Sequence, residues 1–274
     1  MLVLWAAFVL SLAMTPMVLE TLRRGGLVRL NYRGNSIPTS CGMVLVLASV
    51  PVMALGFYLG IIPLASWGLV LPLFLIASAA FAGLLDDALG GGDTKGFRGH
   101  LGALIFEHRL STGAVKAIII FLSGVLASTA IARGALDAVL KAFVMALSAN
   151  LLNLLDTMPG RAIKAYILGT IPVLILTPAS SASLAAGAML GAALGYLPAE
   201  LRERGMLGDM GSNILGLVLG YFYALNTPPA VQFVYFLFLV AIHVFCERYS
   251  LSRVIRSNPL LRFLDGLGRG GDSE

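Results

Sequence analysis

The sequence predicts an all-α polytopic membrane protein of about nine transmembrane helices, with the N-terminus outside and a cytoplasmic C-terminal tail. Three observations carry this. Of 274 residues, 58% are apolar and only 12% charged, where a soluble domain carries about 25% charged residues; mean hydropathy is +0.89. Apolar runs recur near the length of about 20 residues that crosses the hydrocarbon core. They fall at 2–20, 41–60, 66–85, 114–132, 137–155, 162–178, 182–199, 213–226 and 230–247. Finally, 17 of the 19 Lys and Arg lie in the loops after spans one, three, five and seven and in the tail, counting Lys116 and Lys164 with their adjacent loops. The positive-inside rule puts those loops and the tail in the cytoplasm. Only Arg133 and Lys141 lie opposite.

Residues 1–247 read as the membrane domain and 248–274 as the tail. The N-terminus "MLVLWAAFVLSLAMTPMVLE" lacks a basic leader and is followed by Arg23 and Arg24, which fits an uncleaved first span. Cys41 and Cys246 fall near the cytoplasmic side and read as free thiols. The outer loops "IIPLAS", "TPASS" and "NTPPA" are short and nearly uncharged, so they leave little room for a site. Gly187, Gly191 and Gly195 share one helix face, and Gly216 and Gly220 repeat the spacing; small residues four apart let helices approach closely in lipid. The net charge of +5 comes from these short loops and tail and does not indicate nucleic-acid binding. Residues 251–264 pattern as one basic amphipathic helix on the inner leaflet.

Three acidic stretches stand out. In "AGLLDDALGGGDTKGFRG", Asp86 and Asp87 end span three, where a helix C-terminus disfavours anions; two acids there suggest a cation or a proton-transfer role. In "NLLNLLDTMPGR", Asn150, Asn153 and Asp156 recur every third residue. Each step drifts only about 60°, so the three share one side of span five. That side should face the protein interior or a polar cavity. In "RGMLGDMGSNILG", Gly208 and Gly211 permit tight turns and close ligand approach. Ser212 is the expected N-cap of span eight. Free N–H groups at such a helix start bind phosphate, and the neighbouring Asp209 is placed to hold Mg²⁺ beside it. The topology brings all three stretches, and the end of "NYRGNSIPTSCG", to one membrane face.

In order along residues 30 to 220, these stretches resemble the polyprenyl-phosphate N-acetylhexosamine-1-phosphate transferases (glycosyl transferase family 4), which include the phospho-N-acetylmuramoyl-pentapeptide transferases. The family's paired aspartates, its N-x-x-N-x-x-D-G-x-D-G and its G-D-x-G-S are similar to "LLDDALG", "NLLNLLDTMPG" and "GDMGSN"; "NSIPTSCG" and "DTKGF" resemble two further family segments. The resemblance implies a membrane enzyme that passes a sugar-1-phosphate from a UDP-amino sugar to polyprenyl (undecaprenyl) phosphate and releases UMP, for cell-envelope glycan synthesis. It implies Mg²⁺, with Mn²⁺ as an alternative, a homodimer, and an active site on the cytoplasmic side of a prokaryotic cell (inner) membrane. By motif, Asp209 would be the principal metal ligand, assisted by Asp86. Asp86 and Asp87 would engage the lipid phosphate, and Asn153 and Asp156 would position the nucleotide or polar substrate groups. Lys116 in "STGAVK" would contact phosphate, with Lys95 competing for that role.

Two departures accompany the resemblance. Thr157 and Pro159 replace a glycine and the second aspartate of the family's D-G-x-D-G. No histidine-rich cytoplasmic loop is evident; His243 and the Glu247–Arg248 pair are the candidates to stand in its place. A lone His near a helix end more often has a structural role. These departures keep open a non-catalytic lipid- or nucleotide-binding homologue. A third reading, a secondary transporter, would use the intramembrane acids for ion coupling, but such sites lie near the bilayer midplane.

Overall fold

The computed structural model describes residues 1–60, 68–90, 110–177 and 179–269. In the chain, 79% of the described residues are helical. Its helices are α1 Leu2–Arg24, α2 Gly42–Tyr58, α3 Val70–Leu89, α4 Thr112–Ile131, α5 Ala135–Leu155, α6 Arg161–Leu176, α7 Ser181–Leu201, α8 Gly208–Asn226, α9 Pro229–Cys246, α10 Leu251–Ser257 and α11 Pro259–Gly266. Six of them, α1, α3, α4, α5, α7 and α9, are long and apolar enough to cross a membrane, so the protein is membrane-embedded. The helices α2, α6 and α8 match the remaining predicted runs but fall outside that set. Cys41 and Cys246 are free, as expected.

One element departs from an all-α reading. Strands β1 Val28–Leu30 and β2 Ser36–Pro38 pair antiparallel, with Arg29 opposite Ile37. Their turn is built locally: the Asn31 carboxamide oxygen accepts the N–H groups of Arg33 and Asn35, a side-chain turn typical of Asn. The chain then runs on beside the segment before α8. Met206 donates to the Pro38 carbonyl at 2.8 Å, and Cys41 and Gly42 donate to Met206 and Leu207 at 3.1 and 2.9 Å.

At the centre lies α8, buried along nearly its whole length and packed against α5, α3 and α2. In lipid the driving force for such packing is close contact rather than apolar burial. A Cβ at Gly83 of α3 would collide with the Asp209 carbonyl, and one at Gly216 of α8 with the backbone of α5 at Ser148 and Ala149. Gly191 and Gly195 likewise admit α1 at Leu4 and Phe8. The expected face is only partly used, since a Cβ at Gly187 would meet nothing within 4 Å. By contrast α9 is the most outward helix, exposing Phe233, Val234, Leu237 and Phe238, as a lipid-facing helix should.

The tail is two helices, not one. Pro259 removes a backbone donor and fixes the start of α11, and the Asn258 side chain accepts the Leu261 N–H at 3.1 Å. The tail is also tied to the bundle. Arg161, 6% exposed, makes a two-pronged pair with Asp265 at 2.8 Å on each arm. Arg269 bonds both oxygens of the same carboxylate and the Pro159 carbonyl at 2.9 Å. Arg161 also reaches Thr157 and Ser252 at 2.8 Å. Partial burial works against the Asp265 anion, but the hydrogen bonds from Arg161 and Arg269 outweigh it and hold its pKa at about 2.

Two expected outcomes follow from this packing. Gly83→Ala should lower the unfolding temperature in detergent, because its methyl meets the α8 backbone, whereas Gly187→Ala should leave it unchanged or raise it, since Ala favours a helix by about 0.5–1 kcal/mol; equal shifts would refute the packing argument. The depressed Asp265 pKa means that the tail's ion cluster stabilises fully above the unfolded value near 3.8 and is lost as pH falls through about 2. Asp265→Asn should therefore loosen residues 251–269 at neutral pH, by about 3 kcal/mol or more, because it leaves Arg161 buried without its ion partner. Amide hydrogen exchange of that segment reads this out; unchanged protection would show that the cluster does not hold the tail.

Candidate functional site

The site is assembled where the C-terminus of α3 meets the N-terminus of α8. The two helix dipoles are complementary there. Asp87, in the last turn of α3, aims its carboxylate at the first turn of α8. Its Oδ1 accepts the Asp209 N–H at 3.0 Å, and its Oδ2 accepts the Met210 N–H at 3.1 Å and the Ser40 hydroxyl at 2.7 Å. Arg29 of β1 donates to the carbonyls of Asp87 and Gly90, both at 3.0 Å, and so satisfies the exposed end of α3. These contacts answer why two acids sit at a helix C-terminus, where the dipole alone disfavours them.

This arrangement corrects two expectations. Ser212 is not the N-cap: α8 begins at Gly208, and Ser212 lies within it. Its hydroxyl faces the Gly208 carbonyl and the Asn153 carboxamide oxygen, each at 3.0 Å. Nor are the α8 N–H groups of Asp209 and Met210 open to a phosphate, because Asp87 already holds them. The start of α8 moved N-terminal because its cap comes from another helix. Of the two glycines, Gly208 takes a left-handed turn at φ +74°, whereas Gly211 serves close packing against Gly42.

Lys116 from α4 completes the cluster. Its ammonium lies 2.6 Å from Asp86 Oδ2 and 2.6 Å from Asp209 Oδ2, and its side chain is 12% exposed. Two carboxylates from different helices thus converge on one cationic point. A divalent ion of the Mg²⁺ type binds through one or two carboxylates plus substrate phosphates. Asp86 and Asp209 fit that requirement at the point Lys116 now bridges. Among the described residues, no group of three or more His, Cys, Asp or Glu side chains gathers to hold a metal without a substrate.

Beside the cluster lies a cavity of about 160 Å³, bounded by the hairpin, the α5–α6 loop and the segment between α7 and α8. Asp156, Asp87 and Asp209 line it, as do Gly208 and Pro159. Asn153 is half-buried and bonded to Ser212. Asn150 corrects the expectation of a shared polar side: it is exposed and outside the cavity lining. Six residues of helix accumulate a drift of about 120° from Asp156, which turns Asn150 off that face. His243 also lies outside the lining, with Nδ1 on the Leu239 carbonyl of its own helix at 2.7 Å. Lys95, in "DTKGF", lies outside the described residues, as do His100 and His108.

Sequence reasoning missed the cavity's other acids, Glu200 and Glu203, and the hairpin's Asn31 and Tyr32, which also line it. Glu203 accepts from Asn31 and Tyr32 at 2.9 and 2.8 Å and pairs with Arg33 at 3.1 Å. The available signal was "AELRERG", two acids three apart at the end of α7 and just after it, in a stretch whose other charges are basic. The wall formed by Thr157 and Pro159 is the one that Arg161 and Arg269 tie to the tail. No protein-family model matches the chain, and no curated protein matches it.

Proposed function

We propose that the protein is a Mg²⁺-dependent transferase that passes the sugar-1-phosphate of a UDP-amino sugar to polyprenyl phosphate and releases UMP. The observation that carries this reading is the convergence of Asp86 and Asp209 on one cation, Lys116, at the rim of a polar cavity in a membrane-embedded bundle. The order of the motifs along the chain supports it independently. In this reading an oxygen of the lipid phosphate attacks the sugar-bearing phosphorus of the donor. The new P–O bond forms as the bond to the bridging oxygen breaks, and UMP leaves with that oxygen. Asp209 and Asp86 would hold Mg²⁺, whose charge neutralises the phosphates. Lys116, freed to turn toward the phosphates, orients them. Asp87 fixes the α8 start that carries Asp209, and Asn153 and Asp156 position the donor. Phosphoryl transfer needs alignment and charge neutralisation more than covalent help, and these residue types supply both.

The same reading has nine spans, an outside N-terminus and the site on the cytoplasmic face of a prokaryotic cell membrane, supported by the distribution of Lys and Arg.

The test is UMP release by purified protein given undecaprenyl phosphate, Mg²⁺ and a panel of UDP-amino sugars. Release should require both lipid and metal. Asp209→Asn should reduce kcat by about 10²–10³ or more while leaving helicity and elution unchanged. Full activity in that variant would remove the metal assignment. Donor binding with no UMP release from folded wild-type protein, across donors and lipids, would favour a binding protein instead.

A further inference from the structure

The cavity's charge is one-sided. Among the described residues five carboxylates line it, Asp87, Asp156, Glu200, Glu203 and Asp209, and no Lys, Arg or His does. Three of the five have matched partners: Asp87 in the α8 N–H groups, Asp209 in Lys116, and Glu203 in Arg33 with Asn31 and Tyr32. Asp156 and Glu200 have no ion-pair partner among the described residues. Asp156 takes a backbone hydrogen bond from Gly208, but the charges acting most on it are those of Glu200, Asp209 and Asp87, all of its own sign. Glu200 is 3% exposed. Its hydrogen bonds come from backbone alone, from Gly160 and, at a long 3.4 Å, from the Leu207 N–H to Oε1, and its Oε2 has no hydrogen-bond partner. The basic groups acting most on it, Arg269 and Lys164, are engaged with Asp265 of the tail.

A buried carboxyl without a partner costs free energy that a bound ligand can recover. The wall repels phosphate, so the phosphates of any ligand belong at the rim, at Lys116 and the cation point beside it. A divalent ion held by this wall alone is also poorly served: among the described residues no three Asp, Glu, His or Cys side chains gather closely enough to hold one. A primary ammonium is the complementary group, with three N–H donors and one charge. We infer that Asp156 and Glu200 form a subsite for a primary ammonium, and that the donor sugar of this protein carries a free amino group rather than an acetamido group. This rests on the transferase reading, and it goes beyond it by fixing the donor's chemistry. An ethanolamine-headed lipid is the other source of the same ammonium.

The experiment is equilibrium binding to the purified full-length protein with Mg²⁺ present, using UMP, UDP-glucosamine and UDP-N-acetylglucosamine. The wild type should bind the free-amine donor about tenfold or more tighter than the acetylated one. Glu200→Gln and Asp156→Asn should each bring that ratio toward one, and Glu200→Gln should leave UMP affinity within about twofold. Intact UMP binding with no preference for the free amine in the wild type, which needs no variant to fold, would overturn the subsite alone. A preference that survives both variants would overturn the residue assignment. Failure to bind UMP would overturn the transferase reading and this assignment with it. Phosphatidylethanolamine in the micelle that abolishes the preference, where phosphatidylglycerol does not, would assign the subsite to the lipid headgroup and overturn the sugar assignment.

Discussion

The first turn of α8 has no cap of its own, and the rest of the site depends on how that need is met. Asp87 reaches across from α3 and accepts two of its N–H groups. Hydrogen bonds to a charged acceptor contribute about 1.5–3 kcal/mol each, and a buried carboxylate left without them would be costly. The bond pattern fixes the end of one helix against the start of another. It thereby sets where the neighbouring residues on each side, Asp86 and Asp209, meet. Ser40 and Arg29 extend the same joint into the hairpin, so the β-ribbon belongs to the site and is no mere connection.

The two aspartates of "LLDDALG" consequently have different work. Asp87 points into the helix joint and is filled by backbone donors, while Asp86 points to Lys116 and, through it, to Asp209. Adjacent residues on a helix are turned about 100° apart, so a paired-acid motif can serve structure with one member and ligand with the other. The cluster as a whole retains excess negative charge, which suits a site that takes up a cation together with phosphates. The cavity wall opposite is held from outside: Arg161 and Arg269 link the α5–α6 loop to Asp265. The sequence read this tail as an inner-leaflet helix, and the ion cluster makes it part of the bundle as well.

How much could be read from the chain is clear at particular residues. The membrane-embedded helices followed from apolar run length, and the gathering of Asp86, Asp156 and Asp209 at one end followed from counting spans. Ser212 was misread because local capping rules assume that a helix caps itself, and no local pattern reports a carboxylate 122 positions away. Asn150 was misread because a spacing of three drifts over two steps. The hairpin was missed because three-residue strands are too short for alternation to register. Glu200 escaped because its significance lies in what it lacks among the described residues, an ion-pair partner, and that is a property of three dimensions.

The central claim is that Asp86 and Asp209 together present one cation-binding point, held in place by the α3–α8 joint. Mn²⁺ binding followed by electron paramagnetic resonance, in wild-type protein and in Asp86→Asn with UDP present, tests it most directly. The account predicts saturable binding in the wild type and at least about tenfold weaker binding in the variant, with the fold retained. Equal Mn²⁺ affinity in the two proteins, or none in the folded wild type, would contradict it.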